Sequence, residues 1–351
     1  MAETSGTGGR QTAPERRATM RDVARASSVS VMTVSRVVNN SPNVDPVTRE
    51  RVLEAIRTLG FRPNEAASSL RRNGSGTSTV GLVVDDVGNP FCSAIQRGVE
   101  RVARRRGHLL ISGSSDRRPE EERTLVTALL RRRVDGLVVM GVDPDESYLA
   151  EEIRRGVPTV FADRAPAGLE VDLVTSDNAA AARVATEHLL GHGHRRVAVL
   201  LNQPTVSSTR DRLDGYLTAV GAAGADADPA LVVQDLMAAA EAEAATERLL
   251  DLPRPPTGIF AAQNAIAIGA LRALHRRGLA ERVALVAFDD FELADVVRPA
   301  VTVVAQEPEL IGETAAELLF SRREGYTGPA RTVVVPASLV VRGSGEIRPP
   351  A

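Results

Sequence analysis

The stretch Thr19 to Asn39, TMRDVARASSVSVMTVSRVVN, limits what this chain can fold into more than any other. Its apolar residues recur at Val23, Ala24, Val29, Val34, Val37 and Val38, which is helical spacing broken once at Ala26-Ser27-Ser28. Two short helices joined by a tight turn are expected. Thr19 and Asp22 have the Thr-x-x-Asp spacing of a capping box for the first helix, and Ser30 can cap the second. Packing the second helix through Val34, Val37 and Val38 leaves Val31, Met32, Ser35, Arg36 and Asn39 partly or wholly on its outer side. A third helix has Asp45 as N-cap, Pro46 at its first position, where a missing donor costs nothing, and Gly60 as its stop. Its Val52, Leu53, Ile56 and Leu59 form a stripe that closes a small core.

Three helices in about fifty residues make a helix-turn-helix headpiece, the arrangement that sets its second helix into the major groove; a plain helical bundle is the alternative. Charge separates the two. Residues 16–73 carry 11 arginines against 5 acidic residues while the whole chain carries a net −2, so a basic end is joined to an acidic remainder. Such polarisation is the electrostatic footprint of a phosphate-binding end.

DVARASSVSVMTVSRVVNN, followed by TRERVLEAIRTLGFRPNEAASSLRR, resembles the lac and galactose repressor family of bacterial transcription regulators. The resemblance implies a repressor that binds a palindromic operator as a homodimer and is controlled by a small molecule, favoured to be a sugar or related metabolite. It implies that Arg36 reads a guanine and that Val31 and Met32 meet thymine methyls or base edges. Thr19, Ser30, Thr33, Ser35 and Asn39 are then placed for phosphates or neighbouring bases. The family often has polar residues at the positions where this chain has apolar Val31 and Met32, so the resemblance does not carry over an operator sequence. Residues 18–63 form the headpiece and 64–76 a linker containing a helix too short to be stable alone. On its residues alone that segment is a weak helix that orders only when something packs on it, with a flexible tether as the alternative; the resemblance makes it the hinge helix, with Leu70 wedging into the central base step and Ala67 and Arg71 facing the minor groove.

Several classes are set aside by composition. Residues 1–17 read as a disordered polar tail lacking the apolar core of a secretory signal, and no run approaches the roughly 18 apolar residues of a spanning helix. Cys92 is the one cysteine, so no intrachain disulfide or cysteine-rich metal site is expected, which suits a reducing cytoplasm, where a DNA-binding chain is expected at the nucleoid. Every basic residue is arginine, which removes Walker-type phosphate loops and pyridoxal Schiff bases, both of which need lysine.

From Thr79 onward, β-branched runs (80–85, 109–112, 136–140, 158–163, 196–201, 257–262, 283–290, 301–304) alternate with amphipathic helical segments. This is the pattern of a doubly wound parallel α/β fold. The series restarts near 171–178, giving two lobes within 77–345, a body resembling periplasmic sugar-binding proteins. The family's chain crossing implies lobe 1 at about 79–176 and 307–328, and lobe 2 at about 177–305 and 330–343, with 346–351 as a tail. Ligands in such sheets sit beyond the carboxyl ends of strands.

There the sequence offers six candidates for effector binding: Phe91, Asp177, Arg212, Asn264, Asp289 and Gln306. Phe91 can stack on a ligand ring or belong to the core, and Asp177 can accept ligand hydrogen bonds or cap the following helix. The resemblance gives Arg212 a forked contact to ligand oxygens and places Asn264 and Asp289 at strand ends. Purine-binding members carry an arginine where this chain has Val206, which turns the reading away from purines. Asp289 can also be an ordinary strand-end carboxylate.

No enzyme, metal or cofactor is expected. His188, His192 and His194 invite zinc, but EHLLGH lacks the glutamate that follows the first histidine of an HExxH site, and Gly191 and Gly193 mark a helix end. The pairs Asp85-Asp86 and Asp289-Asp290 are adjacent on strands, so they point to opposite faces and cannot flank one glycosidic bond. The competing readings are an architectural DNA binder without effector and a stand-alone solute-binding protein, the latter opposed by the basic headpiece.

Overall fold

Both halves of the expected capping box form. In the computed structural model, which describes residues 18–38, 41–61 and 77–350, Asp22 N–H donates to Thr19 Oγ1 at 3.4 Å and Thr19 N–H to Asp22 Oδ2 at 2.9 Å, starting helix α1, Met20–Ala26. Ser30 Oγ accepts from Thr33 N–H at 3.1 Å at the start of α2, Val31–Val38. Asp45 accepts from Val47 and Thr48 at 3.0 and 3.3 Å to start α3, Pro46–Leu59, and Gly60 ends it with a left-handed φ of 58°. The headpiece core is Val23, Ala24, Val34, Val37, Val52, Ala55 and Phe61. One expected core residue is corrected: Leu59 is 37% exposed, because Gly60 turns the chain back and tucks Phe61 under the helix instead, its N–H bonded to the Ile56 carbonyl at 3.1 Å.

The body, 78–351, is a separate unit with two sheets. Lobe 1 holds β1 Thr79–Val84, β2 Leu109–Ser114, β3 Leu137–Val139, β4 Thr159–Ala162, β5 Asp172–Ser176 and β11 Thr332–Val335, all parallel, in the order β11-β5-β4-β3-β1-β2. Lobe 2 holds β6 Val197–Leu200, β7 Val232–Val233, β8 Gly258–Ala261, β9 Ala284–Phe288, β10 Thr302–Ala305 and β12 Ser338–Val340, in the order β12-β10-β9-β8-β6-β7, with only β12 antiparallel. The helices are α4 Pro90–Arg105, α5 Pro119–Arg131, α6 Ala150–Arg154, α7 Asn178–Gly191, α8 Ser207–Ala222, α9 Ala239–Leu250, α10 Asn264–Arg276 and α11 Pro308–Arg323. Strand pleat divides each core: Val80, Leu82 and Val84 pack toward α4 and α11, while Val83 packs with Val126 and Leu129 of α5.

Helix α11 returns to lobe 1 by backbone-close packing on α4. A Cβ on Gly98 would fall 2.2 Å from the Glu309 carbonyl oxygen, and one on Gly312 would fall 2.1 Å from that of Ile95. Along this seam Arg97 and Arg101 pair with Glu309 at 3.0 and 2.5 Å, and Arg106 pairs with Glu317 at 2.8 Å.

Two expectations are corrected. Residues 332–335 belong to lobe 1, where β11 pairs in parallel with β5, and the crossing into lobe 2 falls at 336–337, before β12. The cause is Asp172, fully buried on β5, whose carboxylate takes Arg322 at 2.7 Å, Arg331 Nη2 at 2.6 Å and the Arg331 N–H at 2.8 Å. The segment after 345 is no free tail. Glu346 accepts from Thr302 Oγ1 at 3.0 Å and pairs with His188, while Ser344 Oγ donates to the Leu285 carbonyl at 2.5 Å. His194 Nε2 faces the Ile347 carbonyl at 2.7 Å and Nδ1 faces Thr257 Oγ1 at 2.9 Å. Burial lowers the His194 pKa, so the neutral ring donates through Nε2 and accepts at Nδ1.

Candidate functional site

Residues that follow β1, β4, β6, β8 and β9 converge on one cavity, lined among others by Asp85, Asp163, Asn202, Gln263 and Asp289. Asp163 and Asp289 hold equivalent places in the two lobes. Each directly follows the strand next to a lobe-crossing strand, and each donates its N–H to that neighbour, to Val174 at 2.8 Å and Val304 at 2.9 Å. Each is left-handed, with φ of 72° and 69°. A non-glycine residue there costs about 1–3 kcal/mol, so each lobe spends backbone strain to turn one carboxylate into the cleft.

The positive groups come from a loop and a helix. Arg164 donates Nη2 to Asp85 Oδ2 at 2.7 Å and lies 3.2 Å from Asp163 Oδ2. Arg212 on α8 is 7% exposed; its Nε donates to Asn178 Oδ1 at 2.8 Å, its Nη1 to the Ala262 carbonyl at 2.6 Å, and its guanidinium lies 3.7 Å from the Phe288 ring centre. Burial pushes the Asp163 and Asp289 carboxyls up against the pull of these guanidiniums. Burial works on Asp85 in the same sense, but there Arg164, seconded by the Cys92 thiol, wins and holds the carboxyl below its usual range. Burial lowers the Arg212 pKa, and the opposing carboxylates only partly offset it. Asp163 Oδ1 is buried without a hydrogen-bond partner among the described residues, an acceptor facing a site with room for a donor.

Of the six sequence candidates, Phe91, Arg212 and Asp289 line this cavity. Phe91 lines the cavity and also packs on the lobe 1 core. Asn264 and Gln306 stand one layer back: Asn264 Nδ2 donates to Asn89 Oδ1 at 2.9 Å, and Gln306 Nε2 donates to Asp289 Oδ1 at 2.6 Å. Asp177 is corrected. It is exposed and caps α7, accepting from Ala180 N–H at 3.0 Å, and the buried residue beside it, Asn178, is the one that reaches Arg212. The sequence reading does not single out Asp163, Arg164, Asn202 or Gln263. Asp163 carries the same strand-end signal that marks Asp289.

On the headpiece, Val31 and Met32 are 38% and 66% exposed on α2, beside exposed Ser30 and Arg36, with Thr33 and Ser35 half-buried. Thr19 is exposed and engaged in its capping box. Asn39, Ala67, Leu70 and Arg71 lie outside the described residues. No helix among the described residues is long and apolar enough to cross a membrane.

Residues 19–64 match the family described as bacterial regulatory proteins, lacI family, and residues 186–345 match a periplasmic binding protein-like domain. The chain is 32% identical over 337 residues to the HTH-type transcriptional repressor CytR of Escherichia coli K12, covering 95% of this chain and 98% of that one. A transcriptional regulator CelR–cellobiose complex is 34% identical with a TM-score of 0.70, covering 93% of this chain and all of its own, 100%. The lac repressor dimer bound to operator and the anti-inducer ONPF is 27% identical with a TM-score of 0.83, covering 94% and 99%. The capped helix-turn-helix, the two largely parallel sheets and these full-length likenesses agree, and the chain belongs to the LacI family of bacterial regulatory proteins.

Proposed function

We propose that this protein is a transcriptional repressor, a homodimer on a palindromic operator, whose DNA affinity is set by an uncharged polyhydroxylated molecule of the sugar type bound between the lobes. It acts by binding, without turnover, in the cytoplasm at the nucleoid. The observation that carries the effector class is the charge of the cleft: three buried carboxylates, Asp85, Asp163 and Asp289, against two guanidiniums, Arg164 and Arg212. A phosphate or carboxylate about 5 Å from a buried carboxylate would meet about 3 kcal/mol of repulsion at an effective dielectric near 20, whereas a hydroxyl can donate to the free Asp163 Oδ1 and accept from Arg212. Val206, at the cleft wall, adds apolar surface where purine-binding members carry an arginine.

On the DNA side Arg36 reads a guanine, Val31 and Met32 contact thymine methyls, and Thr19, Ser30, Thr33, Ser35 and Asn39 hold phosphates or neighbouring bases. The hinge residues Ala67, Leu70 and Arg71 enter the minor groove at the operator centre. The test is a thermal-shift screen of the purified chain against sugars, polyols, sugar phosphates and nucleobases, followed by operator titration with each hit. Stabilisation by a neutral sugar or polyol that also changes operator affinity is the expected result. Hits confined to sugar phosphates or nucleobases would overturn the effector class.

A further inference from the structure

The cavity between the lobes measures about 30 Å³, room for a water molecule or two and no more. A ligand of sugar size therefore needs the lobes to part, and what holds them together becomes a functional question. Among the described residues, and apart from the Asn178–Ser176 bond at the chain crossing itself, three hydrogen-bonded pairs cross between lobes. Asn264 donates to Asn89 at 2.9 Å, Ala165 N–H donates to Ser207 Oγ at 3.0 Å, and Arg117 Nη1 donates to the Met237 carbonyl. Only the last is charge-assisted, the kind worth roughly twice a neutral bond.

Arg117 is built for that reach. It follows β2 in a turn where Asp116 and Arg117 are both left-handed, φ of 49° and 59°, a conformation two successive non-glycine residues adopt only when held. The turn is held: Arg117 N–H donates to the Asp85 carbonyl at 2.9 Å and Ser114 Oγ to Asp116 Oδ1 at 2.8 Å. On the lobe 1 side Arg117 Nη2 is anchored to Asp86 Oδ2 at 2.9 Å, and its side chain is 15% exposed. The receiving carbonyl is equally fixed. Leu236 N–H is bonded to Leu201 at 3.1 Å and Met237 N–H to Glu241 Oε2 at 2.6 Å.

We propose that Arg117 is a positioning residue of the cleft, a clasp that joins lobe 1 to lobe 2 and sets how often the unliganded chain opens. The proposal concerns the ligand-free protein and does not depend on which effector it takes.

Nitroxide labels at Thr127→Cys on α5 and Ala244→Cys on α9, both exposed sites, report the separation of the lobes by pulsed dipolar spectroscopy, while native Cys92 is buried. Labelled chain is mixed with excess unlabelled chain so that only distances within a protomer are read, with no DNA or small molecule present. Arg117→Ala should raise the long-distance population on the order of tenfold, the loss of a charge-assisted bridge. Asp86→Asn removes the anchor while keeping an acceptor for Gly88 N–H, and should raise it by a smaller factor; it decides the matter if Arg117→Ala fails to fold. Distance distributions unchanged from the parent in the folded variants would overturn the clasp and leave the effector reading standing. A failed ligand screen would leave the clasp standing.

Discussion

Asp172→Asn should cost this protein much of the stability of lobe 1, and in a pH-dependent way. The carboxylate is completely buried on β5 and accepts from Arg322 Nε and Nη2 at 3.0 and 2.7 Å, and from Arg331 Nη2 and N–H at 2.6 and 2.8 Å. Burial alone would raise its pKa, but the hydrogen bonds from Arg322 and Arg331 override that and bring it down to about 2. Against an unfolded value near 3.9, the shift corresponds to about 2 to 3 kcal/mol of stability at neutral pH. The folded pKa is the lower one, so this stability is present above about pH 4 to 5 and is lost as pH falls through about 2. The amide variant keeps the shape and loses the charge, and leaves two arginines facing an uncharged partner. Urea denaturation of parent and variant at a series of pH values is the assay. The gap between them should be about 2 to 3 kcal/mol at pH 7 and should narrow as pH drops from 5 toward 2. A gap below about 1 kcal/mol, or one indifferent to pH, would refute the claim that this ion cluster secures β11 to lobe 1.

The DNA-binding and effector claims are open to the same treatment. Arg36→Ala should cost about 1–3 kcal/mol of discrimination at one base pair, measured by competition among base-substituted operators, and a loss spread evenly over all positions would remove it from base readout. Leu70→Ala should weaken specific operator binding far more than non-specific binding; equal losses on both would sink the hinge assignment. Arg212→Ala should abolish the operator response to any hit of the ligand screen while leaving ligand-free operator affinity within about threefold, since its bonds to Asn178 and Ala262 lie within lobe 2. A response that survives would place the effector elsewhere.

What could be read in the sequence was local. The caps at Thr19, Ser30 and Asp45 and the stop at Gly60 each act within about four residues, and the apolar period around Val34 and Val37 fixes which face of α2 is left to solvent. Leu59 shows the limit of that reading: its spacing suits the stripe, but Phe61 competes for the same space from beyond the helix end. The strand β5, DLVTS, reads poorly because it is short and opens on an aspartate, and β5 is the strand that residues 332–335 pair with. Asp172 is drawn inside by arginines 150 and 159 residues away, a pairing no window of sequence displays. The histidines of EHLLGHGH were legible as unusual, but their partners, Glu346 and Ile347, lie at the far end of the chain. The cleft was half legible. A carboxylate ending an apolar strand is a local mark, whereas the use of Asn178 in place of Asp177 depends on where α8 brings Arg212.

The closed cleft also bears on affinity. A cavity of about 30 Å³ cannot hold a sugar, so the bound state is wider than this one, and an effector must lengthen or break the bonds at Asn264, Ser207 and Arg117 before it gains its own. Apparent affinity is then the intrinsic affinity scaled by the fraction of chains already open, and each tenfold in that fraction is worth about 1.4 kcal/mol. The clasp thus trades effector affinity for a well-defined unliganded state. The strained turns at Asp163 and Asp289 work in the other direction: they hold acceptors aimed into the cleft before any ligand arrives, so that reorganisation is confined to the movement of one lobe against the other. Differential binding to those two lobe positions is the free energy available to shift operator affinity, and by linkage operator DNA must shift effector affinity by the same factor.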